Sequence, residues 1–252
     1  MTLLEVEDLH RSFGAVRAVS GVSFTLGAGE MLALIGPNGA GKSTCFNMLN
    51  GQVSPDRGRI RLAGRDITGV APRDVCRLGV GRTFQITATF ASMTARENVQ
   101  LALLSHHRRI WRFCRPAAAA FAAEAEALLD SLCMAARGDH AAGVLAYGDL
   151  KRLELAMALA QAPRLLLMDE PTAGMAPGER VGLMRLVRAL VRERGLAVLF
   201  TEHDMDAVFN HADRILVLSR GRLIAEGDAA AIRADAQVRE IYLGTGATSG
   251  GH

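Results

Sequence analysis

Residues Gly36–Thr44 read GPNGAGKST, a full match to G-x-x-x-x-G-K-[ST], and this stretch limits the chain to few folds. MLALI (Met31–Ile35) before it is a short apolar run, the pattern of a strand buried in a parallel sheet. STCFNMLN (Ser43–Asn50) after it has helical spacing and turns Phe46 and Leu49 inward. Strand, glycine loop and helix in this order make a phosphate cradle. Gly36, Gly39 and Gly41 let the backbone curl, so that the N–H groups of Pro37's neighbours Asn38 to Ala40 point into one concavity, and the helix start adds unpaired N–H groups and its dipole. Of 29 basic residues only Lys42 and Lys151 are lysines. At Lys42 a compact ammonium on a flexible stem suits β- and γ-phosphates better than a planar guanidinium. Ser43 is expected to ligate Mg²⁺, and Thr44 to touch an α-phosphate.

The 252 residues allow one large domain or a core with a subdomain, and half are hydrophobic, enough for a sizeable interior. A net charge of +3 is too small to imply nucleic acid, and none is expected as a partner. Cys45, Cys76, Cys114 and Cys133 show no metal spacing and are expected to be reduced, packed thiols. No signal-peptide pattern and no run of 18 apolar residues is seen, so a membrane role would be peripheral.

Along the chain the fold class is α/β. Residues 1–35 and 58–65 predict short strands forming an antiparallel β subdomain beside a mainly parallel core sheet. A helical insertion is expected over about 87–154, with Pro116 in the first turn of its second helix. The core occupies about 1–86 and 155–244, and 245–252 is expected to be a flexible tail.

RLLLMDE (Arg164–Glu170) is an apolar strand ending in two acids, where an open α/β sheet places its ligand crevice. Alternation along the strand lets Asp169 support Mg²⁺ and Glu170 polarise the attacking water. AVLFTEHD (Ala197–Asp204) repeats the design in what should be the neighbouring strand, placing His203 at the γ-phosphate. Taken alone, such a histidine is more often an ordinary surface or core residue; a place on the strand beside that of Asp169 reverses that reading. Gln85 in GRTFQI stands where the core yields to the insertion; it is either a Mg²⁺ ligand that senses a partner or an ordinary loop glutamine.

Gly36–Thr44, Gln85, LAYGD (Leu145–Asp149), LLLMDE and His203, in this order, resemble the ATP-binding subunit of ABC transporters over roughly residues 3–243. The resemblance implies a P-loop ATPase core, ATP with Mg²⁺, and a head-to-tail dimer sandwiching two ATP molecules. Leu145, Ala146, Tyr147, Gly148 and Asp149 would then form the signature loop that closes on the partner's γ-phosphate. Ala146 stands where serine is commonest, Leu150 where glutamine is frequent, and Ala176 in AGMAP where aspartate is frequent. Phe13 matches the aromatic that stacks on adenine; it also suits a strand core.

RTFQ, LAYG, EHDMDAVF (Glu202–Phe209) and REIYLG (Arg239–Gly244) are similar to the subgroup importing branched-chain amino acids. This implies membrane permease subunits that insert a short helix near Gln85, a second identical or homologous ATPase, an external substrate-binding protein as indirect partner, and a place on the cytoplasmic face of the inner (plasma) membrane. Urea, aromatic-acid and lipopolysaccharide-export motors are alternatives, as is a soluble ABC ATPase acting on nucleic acid or ribosomes. A GTPase or kinase is disfavoured because no N-K-x-D sequence is present. The basic cluster His106–Arg115 is either a lipid- or nucleic-acid-facing stripe or a solvated helix surface.

Overall fold

A computed structural model describes residues 1–83, 89–107 and 121–243. Gln85, Pro116, Cys114, most of the basic cluster and the 245–252 tail lie outside the described residues.

Two sheets organise the chain. β1 (Thr2–Phe13), β2 (Val16–Gly27), β4 (Arg57–Leu62) and β5 (Arg65–Asp66) form an antiparallel sheet in the order β2-β1-β4-β5. β3 (Met31–Ile35), β6 (Val80–Thr83), β7 (Leu165–Asp169), β8 (Ala197–Thr201), β9 (Arg214–Ser219) and β10 (Arg222–Gly227) form the other, ordered β10-β9-β3-β8-β7-β6. All its pairings are parallel except β10 with β9, which turn back on each other at Arg220-Gly221. β3, β7 and β8 are buried along their whole length, as a sheet covered on both faces requires.

The pleat of β3 divides the core. Leu32 and Leu34 face a layer holding Phe46, Leu4, Leu9 and Ile60, so helix α1 (Lys42–Leu49) is packed between the two sheets. Ala33 and Ile35 face the other layer with Phe200, Val99 and Leu129. Each of these leucine, isoleucine, valine and phenylalanine side chains contributes about 1.5–3 kcal/mol on burial.

A short helix α2 (Pro72–Arg77) precedes β6. Helices α3 (Ala95–His106), α4 (Ala122–Ser131) and α5 (Tyr147–Leu159) pack on one another. Thr94 and Glu97 form a capping box at the start of α3. Buried Asn98 ties down the chain ahead of α3: its Oδ1 accepts from Phe90 N at 2.8 Å and its amide donates to Phe90 O, Met93 O and Thr94 O. α5 runs unbroken across residue 154 and reaches β6, so helical layer and core share one rigid rod. Helix α6 (Pro177–Arg194) starts with proline and ends at Gly195, whose φ of 63° breaks it. Helices α7 (Met205–His211), α8 (Ala229–Ala234) and α9 (Ala236–Leu243) are the last helices among the described residues. The expectation of packed thiols needs correcting: Cys45 is buried and Cys76 half-buried, but Cys133 is exposed, because the turn after α4 carries it outward at φ 57°.

Candidate nucleotide-binding site

The loop between β3 and α1 is held by close backbone approach. A Cβ on Gly36 would lie 2.1 Å from Leu218 O, and one on Gly41 2.3 Å from Ala18 O, both at positive φ. The loop is thus wedged between β9 and β2, and only glycine fits. Pro37, Asn38 and Gly39 turn outward, Ala40 packs inward, and Ser43 is exposed at the start of α1. Among the described residues no side chain caps that helix end, so its first N–H groups are available to an anion.

Lys42 is buried, with Nζ donating to Gly36 O at 2.7 Å and Pro37 O at 3.2 Å. Burial pulls its pKa below the ordinary lysine value, opposed by the nearby charges of Glu170 and Asp169. Lys42, Asp169 and Glu170 therefore share one electrostatic site, although they follow or end β3 and β7, which β8 separates in the sheet.

Asp169 ends β7 as a buried carboxylate. Thr201 Oγ1 donates to its Oδ1 at 2.7 Å, and Arg82 Nη2 lies 3.3 Å from its Oδ2. Glu170 departs from the alternation expected of a continuing strand: pairing stops at Asp169 and Glu170 turns to φ 49°. The turn, rather than the pleat, separates the two acids. Glu170 N donates to Thr201 Oγ1 at 3.0 Å, and Glu170 Oε1 lies 2.8 Å from His203 Nε2. β8 lies beside β7, as the strand-end pattern predicts, and His203 rests against Glu170.

Three residues that sequence reasoning did not single out complete this edge. Glu202 is buried; its Oε1 accepts from Thr172 N and Thr172 Oγ1, and its Oε2 from His203 N. One carboxylate thus braces the loops that follow Glu170 and that carry His203. Arg82, the third with Glu202 and Thr172, also binds Asn47 of α1 at 2.7 Å and Gln52 at 2.9 Å. Its only sequence signal was a lone arginine in the GRTFQI stretch before the helical insertion.

Phe13 is 48% exposed with the Arg11 guanidinium 4.9 Å from its ring, so it is no core residue. Ala146 N-caps α5 without a side-chain bond; Ala146 and Tyr147 are exposed, Gly148 is buried, and Asp149 pairs with Arg137. Among the described residues no hydrogen bond or ion pair joins Leu145–Asp149 to Gly36–Thr44. A groove of about 530 Å³ opens beside β6, lined by residues including Gln52, Val75, Arg82, Phe90 and Glu154.

No cluster of three or more His, Cys, Asp or Glu side chains able to hold a metal occurs among the described residues. One buried carboxylate, Asp169, with one exposed hydroxyl, Ser43, suits Mg²⁺, which takes one or two protein ligands and completes its shell with phosphate oxygens and water.

Residues 19–173, more than half of the chain, match the ABC transporter family. The chain belongs to the ABC transporter ATP-binding family. Residues 222–248 match a second family description, the branched-chain amino acid ATP-binding cassette transporter. The high-affinity branched-chain amino acid transport ATP-binding protein BraF of Pseudomonas aeruginosa is 38% identical, over 96% of this chain and 98% of its own. The lipopolysaccharide export system ATP-binding protein LptB of Acidithiobacillus ferridurans is 37% identical, over 96% of this chain and 97% of its own. Among solved structures, the ADP conformation of the ATP-binding cassette MJ1267 superposes with a TM-score of 0.86 at 33% identity, covering 97% and 99% of the two chains. The α/β fold with a parallel core sheet and an antiparallel sheet is that of an ABC ATPase, and this ABC chain is an ATP-hydrolysing subunit of a transporter. No described helix is long and apolar enough to cross a membrane.

Proposed function

We propose that this chain drives an importer of branched-chain or related hydrophobic amino acids, working as a head-to-tail ATP-sandwich dimer beneath a membrane permease. The observation that carries the substrate class is the match of residues 222–248 to the branched-chain cassette description, alongside BraF's near-full-length likeness.

Within the site, the Gly36–Thr44 loop and the open start of α1 bind the phosphates, and Lys42 exchanges its loop carbonyl partners for β- and γ-phosphate oxygens. Mg²⁺, held by Ser43 and supported by Asp169 with Gln85 as a further ligand, would neutralise charge on the phosphates. Glu170 accepts the proton of the attacking water, and His203 orients Glu170 and the γ-phosphate. Their 2.8 Å contact supports this division of labour. Phe13 offers an exposed ring for adenine. The exposed Ala146–Tyr147 edge and uncapped α5 face a second subunit's nucleotide. The groove beside β6 would seat a permease helix, with the chain at the cytoplasmic face of the membrane and a substrate-binding protein acting from the other side.

A second reading, lipopolysaccharide export, is favoured by the LptB likeness alone. Capture of the chain from gently solubilised membranes of its source cells tests both. A polytopic permease pair whose reconstituted transport takes up leucine, isoleucine or valine is the expected result. A lipopolysaccharide-handling partner would overturn it in favour of export, and recovery with ribosomes or nucleic acid only would overturn transport altogether.

A further inference from the structure

We propose that Arg82 is a positioning residue of the ATPase: its guanidinium is the resident counter-ion of Asp169 in the nucleotide-free subunit and competes with the divalent cation for that carboxylate. The inference rests on the proposed metal-supporting role of Asp169.

Arg82 lies on β6, the edge strand of the core sheet, and its side chain is only 14% exposed. It reaches three acceptors on three segments: Asn47 on α1, Gln52 just beyond it, and Asp169 at the end of β7. The contacts are unequal. The two amide oxygens are held at 2.7 and 2.9 Å, whereas the carboxylate stands at 3.3 Å, longer than the 2.7–2.9 Å usual for a charge-assisted bond. The guanidinium is thus anchored by neutral amides and leans toward the acid without being locked to it. Asp169 Oδ1 is already taken by Thr201, so Oδ2 is the oxygen over which Arg82 and an incoming cation compete.

The arrangement solves a physical problem. A buried carboxylate with no cation nearby is costly, and the site must exist between catalytic cycles. Lys42 contributes a nearby charge to the site, but Arg82 is the cation that hydrogen-bonds the Asp169 carboxylate, and it remains protonated at any physiological pH. Among the described residues its buried Nε has no hydrogen-bond partner, so its bonding is incomplete. Arg82 also lines the groove beside β6, so the counter-ion lies between that groove and the nucleotide site.

Arg82→Gln removes the competing charge. An adjacent opposite charge changes a carboxylate's affinity for a proton by about tenfold or more, and a similar change is expected for a metal ion. The measurement is binding of a fluorescent, non-hydrolysable ATP analogue by the full chain over a Mg²⁺ titration. Arg82→Gln is expected to lower the half-saturating Mg²⁺ roughly tenfold, and Arg82→Lys to restore the wild-type value. If Arg82→Gln does not fold, Gln52→Glu at an exposed position draws the guanidinium away from Asp169. It should lower half-saturating Mg²⁺ more than Ser54→Glu, an equal charge on the same loop. An unchanged or raised half-saturating Mg²⁺ in Arg82→Gln overturns the proposal, as does a Gln52→Glu value no lower than that of Ser54→Glu. Asp169→Asn, run alongside, separates the two ideas. If it leaves the Mg²⁺ dependence untouched, the metal-supporting role of Asp169 fails. If it weakens that dependence while Arg82→Gln does not alter it, only the counter-ion role fails.

Discussion

His203 Nε2 lies 2.8 Å from Glu170 Oε1, a side-chain hydrogen bond that adds to those of Thr201 in joining the tips of two adjacent parallel strands. The contact holds the carboxylate at one orientation before substrate arrives. Glu170→Gln keeps the shape but cannot accept a proton. Phosphate-release assays should show kcat reduced ~10²-fold or more with nucleotide affinity retained, and size-exclusion chromatography with ATP should show a trapped dimer. Hydrolysis at the normal rate in this variant would remove Glu170 from the proton-accepting role.

Glu202 makes a second prediction that is independent of direct contact with nucleotide. Its carboxylate accepts from Thr172 N at 2.8 Å, from Thr172 Oγ1 at 2.6 Å and from His203 N at 3.2 Å. Glu202→Gln turns an amide NH₂ toward one set of these donors. The loss should be about 1–3 kcal/mol, since bonds to a buried charge are lost and donors are left unpaired. A denaturant melt should show the lower midpoint, and steady-state kinetics a fall in kcat with little change in KM for ATP, because the brace positions His203 rather than the phosphates. Equal losses in both parameters would mean that the phosphate loop moves as well.

What the sequence revealed of this site follows how local each part is. The strand, glycine loop and α1 are contiguous, so Gly36–Thr44 and the burial of Phe46 and Leu49 were readable from spacing alone. The neighbouring positions of Asp169 and His203 were readable because two apolar strands ending in polar residues belong to one sheet edge. Arg82 and Glu202 were not, because Asp169 lies 87 residues from Arg82 and Thr172 lies 30 from Glu202, and a charged residue has no periodic signature. The turn at Glu170 was hidden for another reason: a glutamate at positive φ breaks a backbone preference that sequence reasoning relies on. The contact between Tyr147 and Gly174, where an added Cβ would meet the tyrosine ring at 3.3 Å, links LAYGD to the loop after Glu170 and has no linear trace.

Gly148 is constrained by space. A Cβ there would lie 2.7 Å from Glu179 Oε1 and 2.9 Å from its Cδ. Glu179 Oε2 accepts from Ala176 N at 3.3 Å at the start of α6. Gly148→Ala should therefore push Glu179 from this capping contact and cost about 0.5–2 kcal/mol. Because both changes remove the same contact, Gly148→Ala and Glu179→Ala should be non-additive in a double-mutant cycle on thermal stability. Full additivity would show that the two side chains do not share this contact.

The C-terminal end of α7 gives the chain a pH dependence with a definite sign. His211 is half-buried, and its pKa is pulled below the ordinary histidine value by burial first, then by Arg185 and Arg188. Neighbouring Arg188 is itself engaged by Asp213 through two 2.5 Å bonds, so its charge is fixed close by. With the folded-state pKa below the unfolded one, the unfolded chain binds the proton first as pH falls. Stability is therefore fully present above the unfolded pKa near 6.5 and declines as pH drops through that value toward the folded pKa. His211→Gln, which cannot titrate, should flatten the decline in melting temperature between about pH 7 and pH 5.5. The difference between variant and wild type should shrink in high salt, because the half-exposed arginine charges are screened there. A His211→Gln profile parallel to wild type over that window would assign the pH dependence to other groups.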